Sequence, residues 1–282
     1  MSKILKKKGF SIFLASVTVF FVALTVTSFA PASAEAAQNA YVTCNSVPWS
    51  ETTNEGAMDM AFGAGNWDAL RFETVNAGTL LSSGYRFIYM DGGDECADIM
   101  EGFLTANSAA ISSWVNGGGA LFLNSAPNVG DGMSFGFGVT LTYQDFGTSA
   151  TAVTPTHPIF LGPFTPVVTS YTGSAFAHAT VSGGGITSVI NNENSRSVLA
   201  QLKVGSGFVM FGGMTTDNFQ LPQPEAHNLR ANILSFAASQ GSVPSVPTMN
   251  EWGMIVFVLL AGFVSVCYLR KKTATADRFP SR

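Results

Sequence analysis

The chain is 282 residues long, with 46% hydrophobic and 11% charged residues and a formal net charge of −4. That average hides an acidic centre: between Glu35 and Gly253 only Arg71, Arg86, Arg196, Lys203 and Arg230 are basic, against 17 acids, giving a formal charge of −12. A region this acidic, with no basic stripe interleaved with aromatics, repels phosphate backbones and excludes nucleic acid as a partner.

The amino end reads as a secretory signal peptide over residues 1–34. Lys3, Lys6, Lys7 and Lys8 precede an apolar stretch from Phe10 to Phe29, and Ala32-Ser33-Ala34 supplies the small residues a signal peptidase cuts after. An uncleaved anchor is the competing reading, because the apolar stretch is longer than the usual 7–15-residue core. Export places Cys44 and Cys96 in an oxidising compartment, where two thiols favour one disulfide. The third cysteine, Cys267, lies in the apolar run near the other end.

Between residues 40 and 239, apolar runs alternate with helical patterns, the signature of βαβ units. Tyr41 to Cys44 is expected as a strand, Ala57 to Phe62 as a short helix, Ala69 to Val75 as a second strand and Tyr85 to Met90 as a third. Ile99, Phe103, Ile111 and Trp114 recur at helical spacing in Ala97 to Val115, a helix expected to stop on a left-handed cap at Asn116-Gly117. Ala120 to Leu123 is an unbroken apolar run, hence a strand buried on both faces. Phe135 to Ile190, rich in Thr, Val and Gly, reads as extra strands and loops inserted before a final strand, Ser206 to Gly213, and a closing amphipathic helix, Ala226 to Ala238. Residues 240–245 have the composition of a linker.

Trp114 to Leu123, Thr156-His157-Pro158-Ile159 and Gly205-Ser206-Gly207 through Gly212, in that order, resemble the class I glutamine amidotransferase-like superfamily. The resemblance implies an α/β fold, a doubly wound, mostly parallel flavodoxin-like sheet with inserted strands. Catalytic members carry a Cys on the turn after the strand that ends here at Leu123. This chain has Asn124-Ser125-Ala126 there, without the flanking glycines of a nucleophile elbow. The domain therefore reads as noncatalytic, with a Ser125, His227, Glu225 triad kept as the hydrolase alternative. His157, before Pro158, reads as a turn residue.

No cofactor is implied. Asp91, Asp94, Glu95, Asp98 and Glu101 form the densest acidic cluster, and hard oxygen ligands of this kind, Asp91, Asp94, Glu95 and Asp98 above all, can hold Ca²⁺. Their spacing fits no complete calcium loop, and Asp94 as an N-cap with acids in the first turn accounts for most of it. In a flavodoxin-like order the first and third strands are neighbours, which brings Cys44 and Cys96 within bridging distance. Trp49, Trp67 and Tyr143 read mainly as packing residues, with contact to a glycan or partner as the alternative.

Val246-Pro247-Thr248-Met249 and Asn250-Glu251-Trp252-Gly253 precede sixteen uncharged residues, Met254 to Leu269, and the basic triplet Arg270-Lys271-Lys272. With Trp252 and Gly253 the helix spans about 27 Å, enough for a bilayer core, and the triplet holds its end on the cytoplasmic side, with 273–282 as a cytoplasmic tail. This arrangement over 246–272 resembles the IPTL-CTERM class of bacterial sorting domains, relatives of the PEP-CTERM class, which have Ile-Pro-Thr-Leu and Ser-Glu-Trp-Gly at these places. The resemblance implies recognition by an exosortase-type membrane protease or transpeptidase. The expectation is thus an exported, single-pass envelope protein with an external domain, possible transfer to the outer surface, and a competing reading as an exported hydrolase.

Overall fold

The computed structural model of the protein describes residues 38–241 and 259–265. The expected signal peptide, the expected sorting motif and the basic triplet Arg270-Lys271-Lys272 lie outside the described residues. Of the expected membrane span, residues 259–265 are described and helical. Among the described residues no helix is long and apolar enough to cross a membrane.

Five short strands lie parallel at one end of the sheet. They are β1 (Asn39–Thr43), β2 (Trp67–Arg71), β3 (Phe87–Asp91), β4 (Ala120–Asn124) and β10 (Gly207–Gly212), in the spatial order β2-β1-β3-β4-β10. Connections between the first four carry α1 (Thr53–Phe62), α2 (Ala77–Ser82) and α3 (Ala97–Asn116). A final helix, α4 (Glu225–Ser239), follows β10 and the two-residue β11 (Gln220–Leu221).

The other end of the same sheet is antiparallel. β9 (Ser197–Val204) pairs antiparallel with β10 and continues the sheet through β8 (Thr187–Asn192), β6 (Val139–Ala152) and β7 (Ser170–Gly183) to β11, while β5 (Gly132–Gly136) pairs with β6 off this path. This corrects the expected doubly wound, mostly parallel flavodoxin-like sheet. The fold is an 11-stranded mixed sheet in which six of the ten strand pairings are antiparallel. Phe135 to Ile190 is not an insert beside that sheet but nearly half of it. The physical reason lies in the connections: parallel neighbours need a crossover of a dozen or more residues, usually an α-helix, and the segment between β4 and β10 holds no α-helix and joins β5 to β6, β8 to β9 and β9 to β10 by short turns.

Two smaller expectations also shift. The second strand is Trp67–Arg71, earlier than the expected 69–75, and Phe72 takes up the ladder with a single bond to the Thr43 carbonyl. Helix α3 ends with Gly117 in right-handed geometry, φ −75°, and the positive φ falls one residue later, at Gly118.

Period-two alternation in the central strands feeds two cores. Val42, Ile88, Met90, Leu121, Leu123, Val209 and Phe211 face Leu80 of α2 and Met100, Leu104, Ile111 and Val115 of α3. Tyr41, Tyr89, Phe122 and Met210 face the opposite side, toward Met58 of α1 and Leu229, Ile233 and Leu234 of α4. Across that face Tyr41, Tyr89 and Phe122 stack from strand to strand, with centroids 4.9 and 4.8 Å apart, each pair in direct register. Helix α4 is buried more completely than an amphipathic surface helix: Asn232, fully buried, donates to the Ile159 and Phe164 carbonyls and accepts from the Phe164 N–H, fastening residues 159–164 to it.

Gly207 begins β10 where that strand presses on the end of α3. A Cβ there collides with the Val115 and Gly119 carbonyl oxygens, which are backbone and have nowhere to go. Gly207→Ala is expected to destabilise the domain by about 1–3 kcal/mol, the usual cost of overpacking, read as a lower urea midpoint with an unchanged slope.

Candidate functional site

The carboxyl ends of the parallel strands form a crest, and Asp91, the last residue of β3, is its centre. It is 1% exposed. Asn54 of α1 donates to its Oδ2 at 2.8 Å, and Asn124, at the end of β4, donates to its Oδ1 at 3.1 Å. The Gly93 N–H donates to Oδ1 at 3.2 Å, and the Thr43 hydroxyl donates to the Asp91 backbone carbonyl. Burial is the main influence on this carboxyl and pushes its pKa up to about 6, with the nearby Arg230 charge and these donors pulling the other way. Arg230 is itself buried on α4, donating to the Tyr89 hydroxyl and the Thr215 carbonyl.

Asn124 extends the network toward the chain leaving β10. Its amide donates to the Met214 carbonyl at 2.9 Å and accepts from the Met214 N–H at 3.1 Å. The neighbouring Ser125 is fully buried, and its hydroxyl donates to the Gly92 carbonyl at 2.5 Å while its N–H donates to the Gly212 carbonyl. Ser125 thus closes the strand ends together.

The His227 side chain bonds elsewhere. Its Nδ1 lies 2.6 Å from Oδ2 of Asp217, in the short 3-10 turn Asp217–Phe219 after β10. The hydrogen bond to Asp217 raises the His227 pKa above its ordinary value against the effect of burial. Burial raises Asp217, but the bond from His227 and the charge of Arg230 outweigh it and hold the carboxyl below its usual range. The acid partner of His227 is therefore Asp217 and not Glu225, and Ser125 and His227 have separate partners, so no Ser125, His227, Glu225 relay is in place. Asp217 was missed in the sequence, where its one signal is being the only other acid between Gly212 and His227.

The acidic cluster is divided as well. Asp91 points into the network above, whereas Asp94 accepts from the Trp49 N–H at 3.1 Å and from the Asn128 amide at 2.9 Å, and Glu95 and Asp98 are exposed. Among the described residues no group of three or more His, Cys, Asp or Glu side chains is arranged to hold a metal ion. Cys44 and Cys96 are joined in a disulfide, Cα atoms 5.7 Å apart, linking the loop after β1 to the start of α3.

The three aromatics are all half-buried. Trp49 sits edge-on to His178 at 4.9 Å and to Phe219 at 5.5 Å, Trp67 donates to Asp59 and packs against Tyr41, and Tyr143 packs against Phe146, which is 48% exposed. His178 donates from Nδ1 to the Pro127 carbonyl, and burial lowers its pKa. His157 caps a short turn through the Ile159 N–H.

No protein-family model matches the chain, and no curated protein sequence matches it. Among solved structures, a beta-galactosidase from Bacillus circulans sp. alkalophilus superposes with a TM-score of 0.47 at 12% identity, over 74% of this chain and 32% of that one. A cytoplasmic protein from Salmonella typhimurium gives 0.43 at 15% identity, over 71% of this chain and 98% of that protein. An exo-beta-1,4-mannosidase from an Opitutaceae bacterium gives 0.39 at 13% identity, over 73% and 35%. The chain spans about a third of the beta-galactosidase, and at these scores the likenesses carry no argument about its activity.

The raised Asp91 pKa has a stability consequence with a definite sign. The folded protein holds this proton more tightly than the unfolded chain, so stability falls as pH rises from about 4 to about 6 and levels off above. The rise from 3.8 to about 6 corresponds to roughly 3 kcal/mol at full effect. Urea unfolding across that window is expected to show this slope in the parent, and Asp91→Asn, which cannot ionise, to lose it.

Proposed function

We propose that the chain is an exported envelope protein whose mixed α/β domain binds or scaffolds without catalysing, and whose carboxyl segment is the substrate of an exosortase-type sorting system. The observation that carries the noncatalytic reading is the state of Ser125: zero exposure, hydroxyl donated to the Gly92 carbonyl, no histidine beside it in a relay. A serine nucleophile needs an exposed oxygen within reach of a base. The two exported thiols offer no alternative, because they are bridged.

Export draws support from the leader residues Lys3 to Ala34 and from the disulfide, a bond that persists in oxidising compartments. Within the apolar run, Leu259, Leu260, Phe263 and Val264 are helical and 59–69% exposed, a surface that suits lipid better than water. Sorting rests on the residues themselves, Val246 to Gly253 followed by Arg270, Lys271 and Lys272. A single-pass membrane protein with an external domain, passed by signal peptidase and then the sorting protease, accounts for all of these together.

Mass spectrometry of the mature protein from its native envelope is expected to give a carboxyl terminus near Thr248 in the parent and an intact Arg282 in Pro247→Ala. Identical termini in the two reduce the apolar helix to a plain anchor. Ester and amide panels are expected to show no turnover by either the parent or Ser125→Ala. Turnover lost in Ser125→Ala alone establishes the hydrolase instead.

A further inference from the structure

Winding reverses between β1 and β3. The connection from β1 runs to β2 on one side, the connection from β3 runs to β4 on the other, and the two loops diverge at the carboxyl ends of neighbouring strands. Divergence of this kind opens a crevice where α/β sheets commonly seat ligands. Such a crevice of about 510 Å³ is present, lined by Ser46, Val47, Ser50 and Thr52 from the loop after β1 and by Asp94 and Glu95 from the loop after β3. That volume is within the roughly 300–1,000 Å³ of small-molecule sites.

The walls are held before any ligand arrives. The Cys44–Cys96 disulfide ties the two loops at their base, and the Cys44 N–H donates to the Cys96 sulfur. Higher up, the Trp49 N–H donates to Asp94, while the Asp94 N–H and carbonyl bond to the Ala126 carbonyl and the Asn128 N–H. On the far side of the turn the Trp49 ring is wedged against His178 and Phe219. Trp49, Ser50 and Asp94 have φ of 61°, 56° and 56°, three non-glycine residues in left-handed geometry around one crevice. Strained backbone of this sort persists where surrounding contacts over-determine it, and it gathers at ligand clamps.

The lining chemistry narrows the ligand. No Lys or Arg lines the crevice, so phosphates and carboxylates find no counter-charge. Val47 is the one aliphatic side chain, too little for an apolar ligand. Asp94 already accepts two hydrogen bonds, which leaves Glu95 as the one uncommitted carboxylate, fewer than a cation site requires. What remains are three exposed hydroxyls, Ser46, Ser50 and Thr52, each both donor and acceptor, beside one acceptor carboxylate. We propose that this crevice binds a neutral polyhydroxylated ligand, a saccharide ring whose hydroxyls exchange hydrogen bonds with Ser46, Ser50, Thr52 and Glu95. This deepens the reading of the domain as a binding module and rests on it.

The test is saturation-transfer-difference NMR on the full chain, in a detergent without a sugar headgroup, with the methyl pyranosides of glucose, galactose, mannose and N-acetylglucosamine at millimolar concentration. Transfer to at least one glycoside is expected. Ser46→Trp, which lays an indole across the mouth from an exposed position, is expected to abolish it, and Glu95→Ala to weaken binding about tenfold, the worth of one hydrogen bond to a charged acceptor. A folded parent with no transfer to any of the four overturns the assignment, as does transfer unchanged in both variants. Displacement of the glycoside by tetramethylammonium overturns it in favour of a cation site. Hydrolysis of a glycoside whose transfer depends on the crevice supports the site while overturning the noncatalytic reading, so the two failures are distinct.

Discussion

A buried carboxylate organises the crest of this protein. Asp91 ends the central parallel strand, and an ionised group buried there is costly unless each lone pair finds a donor. Asn54 and Asn124 supply donors from α1 and β4, Gly93 supplies one from the chain just beyond, and Arg230 adds a positive charge from α4. Each of these partners also fixes something else. Asn124 clamps Met214 in both directions and so sets where the chain goes after β10, and Arg230 reaches the Tyr89 hydroxyl within the aromatic stack that crosses β1, β3 and β4. Removing the carboxylate would leave several donors facing one another, which explains how one acid positions three strands and two helices.

The same network bears on chemistry. Ser125 adjoins Asn124 and is drawn inward with it, so this residue of the turn between β4 and β5 becomes a fastening between β4 and the Gly92 backbone. His227 is left to pair with Asp217 at another part of the crest. In the neighbouring crevice between β1 and β3 a disulfide and a backbone-to-carboxylate bond tie two loops to each other, and the Trp49 indole packs against His178. The left-handed backbone of Trp49, Ser50 and Asp94 sits where these two loops are tied, while the Ser125 hydroxyl is buried.

The parallel strands were legible because their apolar runs are short and dense: Tyr85 to Met90, Ala120 to Leu123 and Ser206 to Gly213 all announce themselves. The antiparallel half was not, since β6 and β7 alternate Thr, Ser and Gly with small apolar residues, a pattern shared by loops and by half-exposed strands. Their pairing partners are also remote. β9, by contrast, joins the parallel strands through a hairpin to β10 across the two residues Gly205 and Ser206, which is a local turn signal. At the site, Asp91 stood out within an acidic run that suggested metal ligands, yet neighbours in sequence point to different places there. Asp217 gave almost no signal, lying in a turn ten residues before the histidine it holds.

Local chemistry was therefore readable from the chain alone: an acidic, lysine-poor central region, two thiols in it, a lysine cluster followed by an apolar stretch over residues 3–29, and a later segment in which Pro247, Trp252 and the basic triplet stand in that order. These properties depend on residue type and near spacing, which sequence carries directly. The mixed sheet, the inward turn of Ser125, the Asp217 partner of His227 and the crevice between the β1 and β3 loops were decided by tertiary structure. Each depends on which remote backbone or side chain supplies the missing hydrogen-bond partner once water is excluded, and that is a property of the packed chain.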